Sequence, residues 1–151
     1  MTKRWPRFYL GIDPGTSSGS MALIDFQGQH VSTIKLKATH HDIWEWLDEY
    51  REGIGYAVLE KVHAMPRQGV VSSFKFGESF GFCQGMLTAA GVRFEFATPQ
   101  KWQKAMQCRT GGDKNISKAR AQALFPGVKI THAVADALLI ADYARRIRET
   151  R

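Results

Sequence analysis

Two short apolar runs, residues 8–13 and 19–26, flank the segment Pro14-Gly15-Thr16-Ser17-Ser18, and the first run ends on a carboxylate, Asp13. β-rich runs on either side of a Pro- and Gly-containing turn predict an antiparallel hairpin. Beyond Gln27-Gly28-Gln29, the positions Val31, Thr33, Lys35 and Lys37 alternate with Ser32, Ile34 and Leu36. That period of two predicts a third antiparallel strand with one wetter face. The chain therefore opens as a β-meander, and the remaining elements must cover it.

From residue 41 onward the pattern alternates between helix and strand. Ile43, Trp46, Leu47 and Tyr50 recur at helical spacing through residues 41–51, with acidic residues elsewhere around the wheel. Residues 56–62, YAVLEKV, read as a fourth strand carrying Glu60 near its end. A long helical segment over 70–90, a strand over 92–97, and helices over 99–106 and 115–124 come next. The last element runs from 132 to about 149 and closes on Arg145, Arg146 and Arg148, cations favourable at a helix C-terminus. Residues 107–113, with Thr110-Gly111-Gly112, are expected to be the least ordered. The pattern predicts an α/β fold: a mixed five-stranded sheet, three antiparallel strands followed by parallel ones, flanked by helices.

At 151 residues the chain fits one domain, 1–151, since domains run to ~100–200 residues. Apolar residues make up 44% and charged residues 23%, enough to bury a core and too apolar for disorder. Twenty-one Lys and Arg against 14 Asp and Glu leave a net charge of +7, which calls for a polyanionic partner. Nucleic acid is the leading candidate and an anionic membrane surface the other. No apolar stretch approaches the ~20 residues of a membrane span, and the N-terminal MTKRWPRFYLGIDPG lacks a signal-peptide core, so a cytoplasmic protein is expected. Cys83 and Cys108 stand in no disulfide or zinc-finger spacing and read as reduced thiols.

Ser73, Gly77, Gly81, Gly85 and Ala89 recur every four residues, a ridge of small side chains along the long helix. Each interior glycine costs ~1 kcal/mol of helix propensity relative to alanine. Close approach of another backbone would offset that cost, either the protein's own sheet or the same helix of a second subunit. Phe76, Phe80, Cys83 and Leu87 form an adjacent bulky stripe.

Three acidic residues occupy otherwise apolar elements: Asp13 in GID, Glu60 in AVLEKV and Asp136 in AVADALLIA. A carboxylate among apolar neighbours is costly unless it is paired, hydrogen-bonded or bound to a metal. Three on separate elements point to a hard-cation site assembled at one sheet edge. His132, four residues before Asp136, shares its helix face and stands as a fourth ligand, a proton carrier or simply the helix start. Asp142 falls about 120° around the helix from Asp136 and is expected to pair with Arg145 or Arg146. Trp46 and Trp102 are expected in the core. His40 and His41 are adjacent, diverge, and receive no role.

Taken in order, GIDPGTSSGSMALID, VLEKV, QGVVSSFKFGESFGFCQGML, TPQKWQKAM, DKNISKARAQALFP and HAVADALLIADYARR resemble a RuvC-type Holliday junction resolvase, in particular the compact versions of bacteriophages. The similarity covers residues 8–146 without a large insertion. It implies an RNase H-like fold, a homodimer, and a structure-selective endonuclease that nicks four-way DNA junctions with Mg2+ or Mn2+, two ions per active site. Asp13 matches the family's first-strand aspartate, Glu60 its fourth-strand glutamate and Asp136 its final-helix acid. The family usually carries a further acid one turn before the last; His132 stands there, as histidine does in some members. Lys114 and Lys118 match a basic segment that approaches junction phosphates, and Arg120 extends it. His63 falls where relatives place an aromatic side chain near the branch point, with Arg67 and Gln68 as further contacts.

Two other classes compete. Actin-like ATPases and sugar kinases also place Asp-x-Gly-Thr on a first hairpin, but they need two lobes, and Glu60 and Asp136 would go unexplained. A junction-binding module without cleavage would gain nothing from three carboxylates near phosphates, since like charges repel without a cation between them. Flaps and other branched DNA remain open as substrates beside the four-way junction.

Overall fold

The structure, a computed structural model, describes residues 6–150. Residues 1–5, where a signal peptide would begin, and residue 151, the end of the expected domain span, lie outside the described residues. The expected fold class is what forms. Strands β1 (Phe8–Asp13), β2 (Ser20–Asp25) and β3 (His30–Lys35) make an antiparallel meander, and β4 (Ile54–Glu60) and β5 (Phe94–Ala97) add in parallel on the other side of β1. The order across the five-stranded sheet is β3-β2-β1-β4-β5, which leaves β1 central.

Helices α1 (His40–Tyr50), α2 (Val70–Ala89), α3 (Pro99–Ala105), α4 (Lys114–Leu124) and α5 (His132–Glu149) cover the two faces. The alternation of β1 and β4 divides the core. Leu10, Ile12, Ala57 and Leu59 pack with α1 and α2, whereas Tyr9, Tyr56 and Val58 pack with α3, α4 and α5. Gly11 permits the closest of these approaches: a Cβ there would overlap the backbone of Ala137 and Ala141, so α5 lies directly on β1. At the far end of α5, buried Asp142 accepts from Arg145 and Arg146 at 2.9 and 3.0 Å, the pairing its spacing predicts.

Element edges differ modestly from expectation. β4 starts at Ile54, not residue 56, because Ile54 already pairs with Phe8 in the parallel ladder with β1. It ends at Glu60, although the Lys61 amide still bonds Ala97 O at 2.8 Å. β5 begins at Phe94 instead of residue 92.

The glycine ridge departs from one of its two expected explanations. A Cβ added at Gly77, Gly81 or Gly85 would meet nothing within 4 Å, so these glycines do not admit the protein's own sheet. Cys83 and Leu87, on the opposite side of α2, are fully buried. Val70 and Phe74 extend the glycine side as an apolar stripe, 86% and 70% exposed. This helix therefore has one apolar face on its own core and another in the open. Among the described residues, no helix is long and apolar enough to cross a membrane.

Candidate functional site

Asp13 and Glu60 meet through strand register. Ile12 pairs with Leu59 in the parallel β1–β4 ladder, so the next residue of each strand, Asp13 and Glu60, stands at the same C-terminal sheet edge. Alternation puts both on the face of Tyr9, Tyr56 and Val58, the face that α5 covers. Asp136 lies in the first turns of α5, immediately before the Ala137 backbone that rests on Gly11. Three carboxylates are thus delivered to one edge by two strand ends and one helix start.

Their electrostatics reflect that proximity. Burial first, and then the charge of Asp136, push Asp13 up to about 6, against the opposing pull of the Gly15 amide and Lys114. Burial and then Asp13 push Glu60 up to about 8, with Asp136 adding to the rise and a hydrogen bond from Trp102 opposing it. Burial raises Asp136, while a hydrogen bond from Ser117 and the charges of Lys114 and His132 lower it. The charge of Asp136 acts on both Asp13 and Glu60, and that of Asp13 on Glu60, so the three carboxylates lie within electrostatic reach of one another.

Two of the acids are also held by a donor. The Gly15 amide donates to Asp13 Oδ1 at 3.1 Å, within a turn closed by the Gly19 amide on Gly15 O at 2.9 Å. A Cβ at Gly19 would overlap Gly15 and Asp13, so the tight turn that presents Asp13 requires glycine there. Trp102 Nε1 donates to Glu60 Oε2 at 2.7 Å. Ser20, paired with Asp13 across the hairpin, has a buried hydroxyl with no hydrogen-bond partner. Trp102 carries no sequence signal for this role; it is buried, as expected of a core residue, but its indole also bonds the Glu60 carboxylate.

Carboxylate and hydroxyl oxygens are hard donors, so the set suits Mg2+ or Mn2+ better than a soft metal. Among the described residues, no group of three or more His, Cys, Asp or Glu side chains is arranged to hold a metal ion as it stands. His132 is exposed at the start of α5, within electrostatic reach of Asp136. Cys83 and Cys108 are free thiols, pushed up to about 12 and about 11 chiefly by burial, and stay protonated at neutral pH.

The expected DNA contacts divide by position. Lys114, exposed at the start of α4, holds its charge near both Asp13 and Asp136. Lys118 is half-buried one turn on, and Arg120 Nε donates to Met106 O at 3.0 Å, which ties part of its guanidinium to the protein's own backbone. His63, Arg67 and Gln68 belong to the loop after β4, where the Gln68 amide bonds Met65 O at 3.0 Å and His63 and Arg67 are exposed. His40 stacks on Phe82 and His41 pairs with Glu45, so neither approaches the carboxylates. A cleft among Phe8, Phe26, Tyr50 and Glu52 opens at the start of β1, the end of the strand away from Asp13.

No protein-family model matches the chain, and no curated protein sequence matches it. Solved structures do. A Thermus thermophilus RuvC structure superposes with a TM-score of 0.70 at 17% identity, over 95% of this chain and 96% of that one. T. thermophilus RuvC in complex with a Holliday junction substrate gives 0.71 at 18% identity, over 94% and 95%. The likeness spans nearly the full length of both molecules and establishes that this chain has the RuvC-type fold, a mixed sheet flanked by helices.

Proposed function

We infer that this protein is a divalent-metal-dependent endonuclease that resolves four-way DNA junctions, working as a homodimer that nicks two strands. The observation that carries this reading is geometric: the β1–β4 register brings Asp13 and Glu60 to one sheet edge, and the crossing of α5 at Gly11 brings Asp136 to the same edge, with Lys114 nearby. In support, a neighbour of the same fold is a RuvC in complex with a Holliday junction substrate.

Asp13, Glu60 and Asp136 would hold the Mg2+ or Mn2+, two ions per active site. Bound there, the metal supplies an activated water and charge stabilisation for the leaving 3′ oxygen. Gly15 and Trp102 hold two of the carboxylates in place. Lys114 draws the scissile phosphate toward the acids and offsets the repulsion between phosphate and carboxylates. His132 is solvent-accessible and close enough to Asp136 to serve either as a neutral ligand or in proton transfer. Lys118, Arg120, His63 and Arg67 act as DNA contacts outside the acids, Arg120 with only part of its guanidinium free.

Dimerisation is supported by the open apolar stripe of Val70, Phe74, Gly77, Gly81 and Gly85 on α2. Glycines that admit nothing from their own chain suit the close approach of a second backbone.

The test is cleavage of a synthetic four-way junction beside linear duplex and flap DNA. Paired nicks in the junction are expected with Mg2+ or Mn2+, with none in chelator. Asp13→Asn should retain junction binding and lose cleavage. Equal cutting of linear duplex would refute structure selectivity.

A further inference from the structure

We propose that Trp102 is a positioning residue for Glu60, its indole N–H fixing one carboxylate oxygen so that the other is presented to the metal. The proposal rests on the metal-dependent function inferred for the site. Trp102 is fully buried, and its Nε1 lies 2.7 Å from Glu60 Oε2 across a separation of 42 residues. That lies at the short end of the N–H···O range. The indole is a donor only, so a buried indole needs an acceptor, and here it is a carboxylate of the site.

The backbone is built to aim this donor. Glu60 pairs with Ala97 in the β4–β5 ladder, and the Lys61 amide bonds Ala97 O at 2.8 Å. Immediately afterwards Thr98 caps α3, its hydroxyl accepting from the Lys101 amide at 3.3 Å, and Pro99 sets the first turn. One turn in, Trp102 returns over the sheet edge toward the residue paired with the end of its own strand. Ladder, cap and buried ring together leave the N–H little freedom. With Oε2 engaged, Oε1 is the oxygen left for a cation, which disfavours symmetric bidentate binding by Glu60. Donors that orient a ligating side chain typically account for about 10–100-fold in metal affinity.

The test is an NMR titration with Mg2+, following the indole 15N–1H resonance of Trp102 and the backbone amide of Gly15, which reports on Asp13. Both are assigned in the unsubstituted protein, so this arm does not depend on a variant folding. The Trp102 indole resonance is expected to shift with the same midpoint as Gly15, and the indoles of Trp44 and Trp46 to stay still. Trp102→Phe, which keeps the ring and removes the donor, should weaken Mg2+ binding by about tenfold while its amide spectrum remains that of the folded protein. Movement of Gly15 without Trp102, or unchanged Mg2+ affinity in Trp102→Phe, overturns the positioning role alone. If neither resonance moves, the metal-dependent reading fails, and the proposal with it.

Discussion

Gly11 lies directly beneath Ala137, and the absent side chain sets the height of α5 above β1. Asp136 precedes Ala137 on that helix, and Asp13 follows Gly11 by two residues on that strand. One contact therefore governs both the packing of the central strand and the distance between two of the three acids.

Gly11→Ala should consequently lower stability by about 1–3 kcal/mol, the usual cost of overpacking a tight core. Denaturant unfolding measures that loss. Cleavage of a four-way junction should fall further than the unfolded fraction explains, because α5 must lift Asp136 away from Asp13. Stability equal to the unsubstituted protein would mean that the helix rides up without penalty.

The raised carboxylates make stability pH-dependent in a definite direction. With Glu60 at about 8 and Asp13 at about 6, the folded protein binds more protons than the unfolded chain at intermediate pH. Folding stability of the metal-free protein therefore declines as pH rises from the unfolded carboxylate range, about 4, toward about 8. Thermal melts should show a fall of several degrees over that interval, at ~2–4 °C per kcal/mol for a chain of this size. Glu60→Gln should flatten the upper part, and Mg2+ should recover the midpoint at high pH. A melting temperature that rises across the interval would contradict the burial of these groups.

Lys114 carries charge toward Asp13 and Asp136 and is expected to touch phosphate. Lys114→Ala should weaken junction binding uniformly across sequences and reduce the slope of log affinity against log salt by about 1. It also removes a cation that lowers both acids, so the acid limb of the cleavage profile should move to higher pH. Binding titrations at several salt concentrations, with cleavage rates against pH, check both effects.

The glycine stripe of α2 separates two outcomes by mass. At Gly81 a side chain would meet open space in the single chain, where replacing glycine favours the helix by up to about 1 kcal/mol. Gly81→Leu should therefore leave the fold intact while converting a dimer to single subunits in light scattering. A dimer that survives the substitution would remove this face from the interface.

The order of elements was legible because it is local. The β-rich runs at residues 8–13 and 56–62, the Pro-Gly turn between the first two strands, and the helical spacing of residues 41–51 all act within a few residues. The pairing of Asp142 with Arg145 and Arg146 was legible for the same reason, since helical spacing alone brings those side chains together. The two explanations of the glycine ridge could not be separated in one dimension, because a stripe of small residues looks the same whether it faces its own sheet or solvent. Only the packing of Cys83 and Leu87 turned that stripe outward.

Sequence by itself determined which acids sit in apolar elements and the mixed sheet that carries them. Tertiary structure decided the rest: the register that sets Asp13 beside Glu60, the crossing at Gly11 that brings Asp136 over them, and the reach of Trp102 back to Glu60. The physical reason is range. Backbone periodicity and capping are interactions between near neighbours in the chain, whereas register, helix crossing and a hydrogen bond across 42 residues exist only once the sheet has closed around its core.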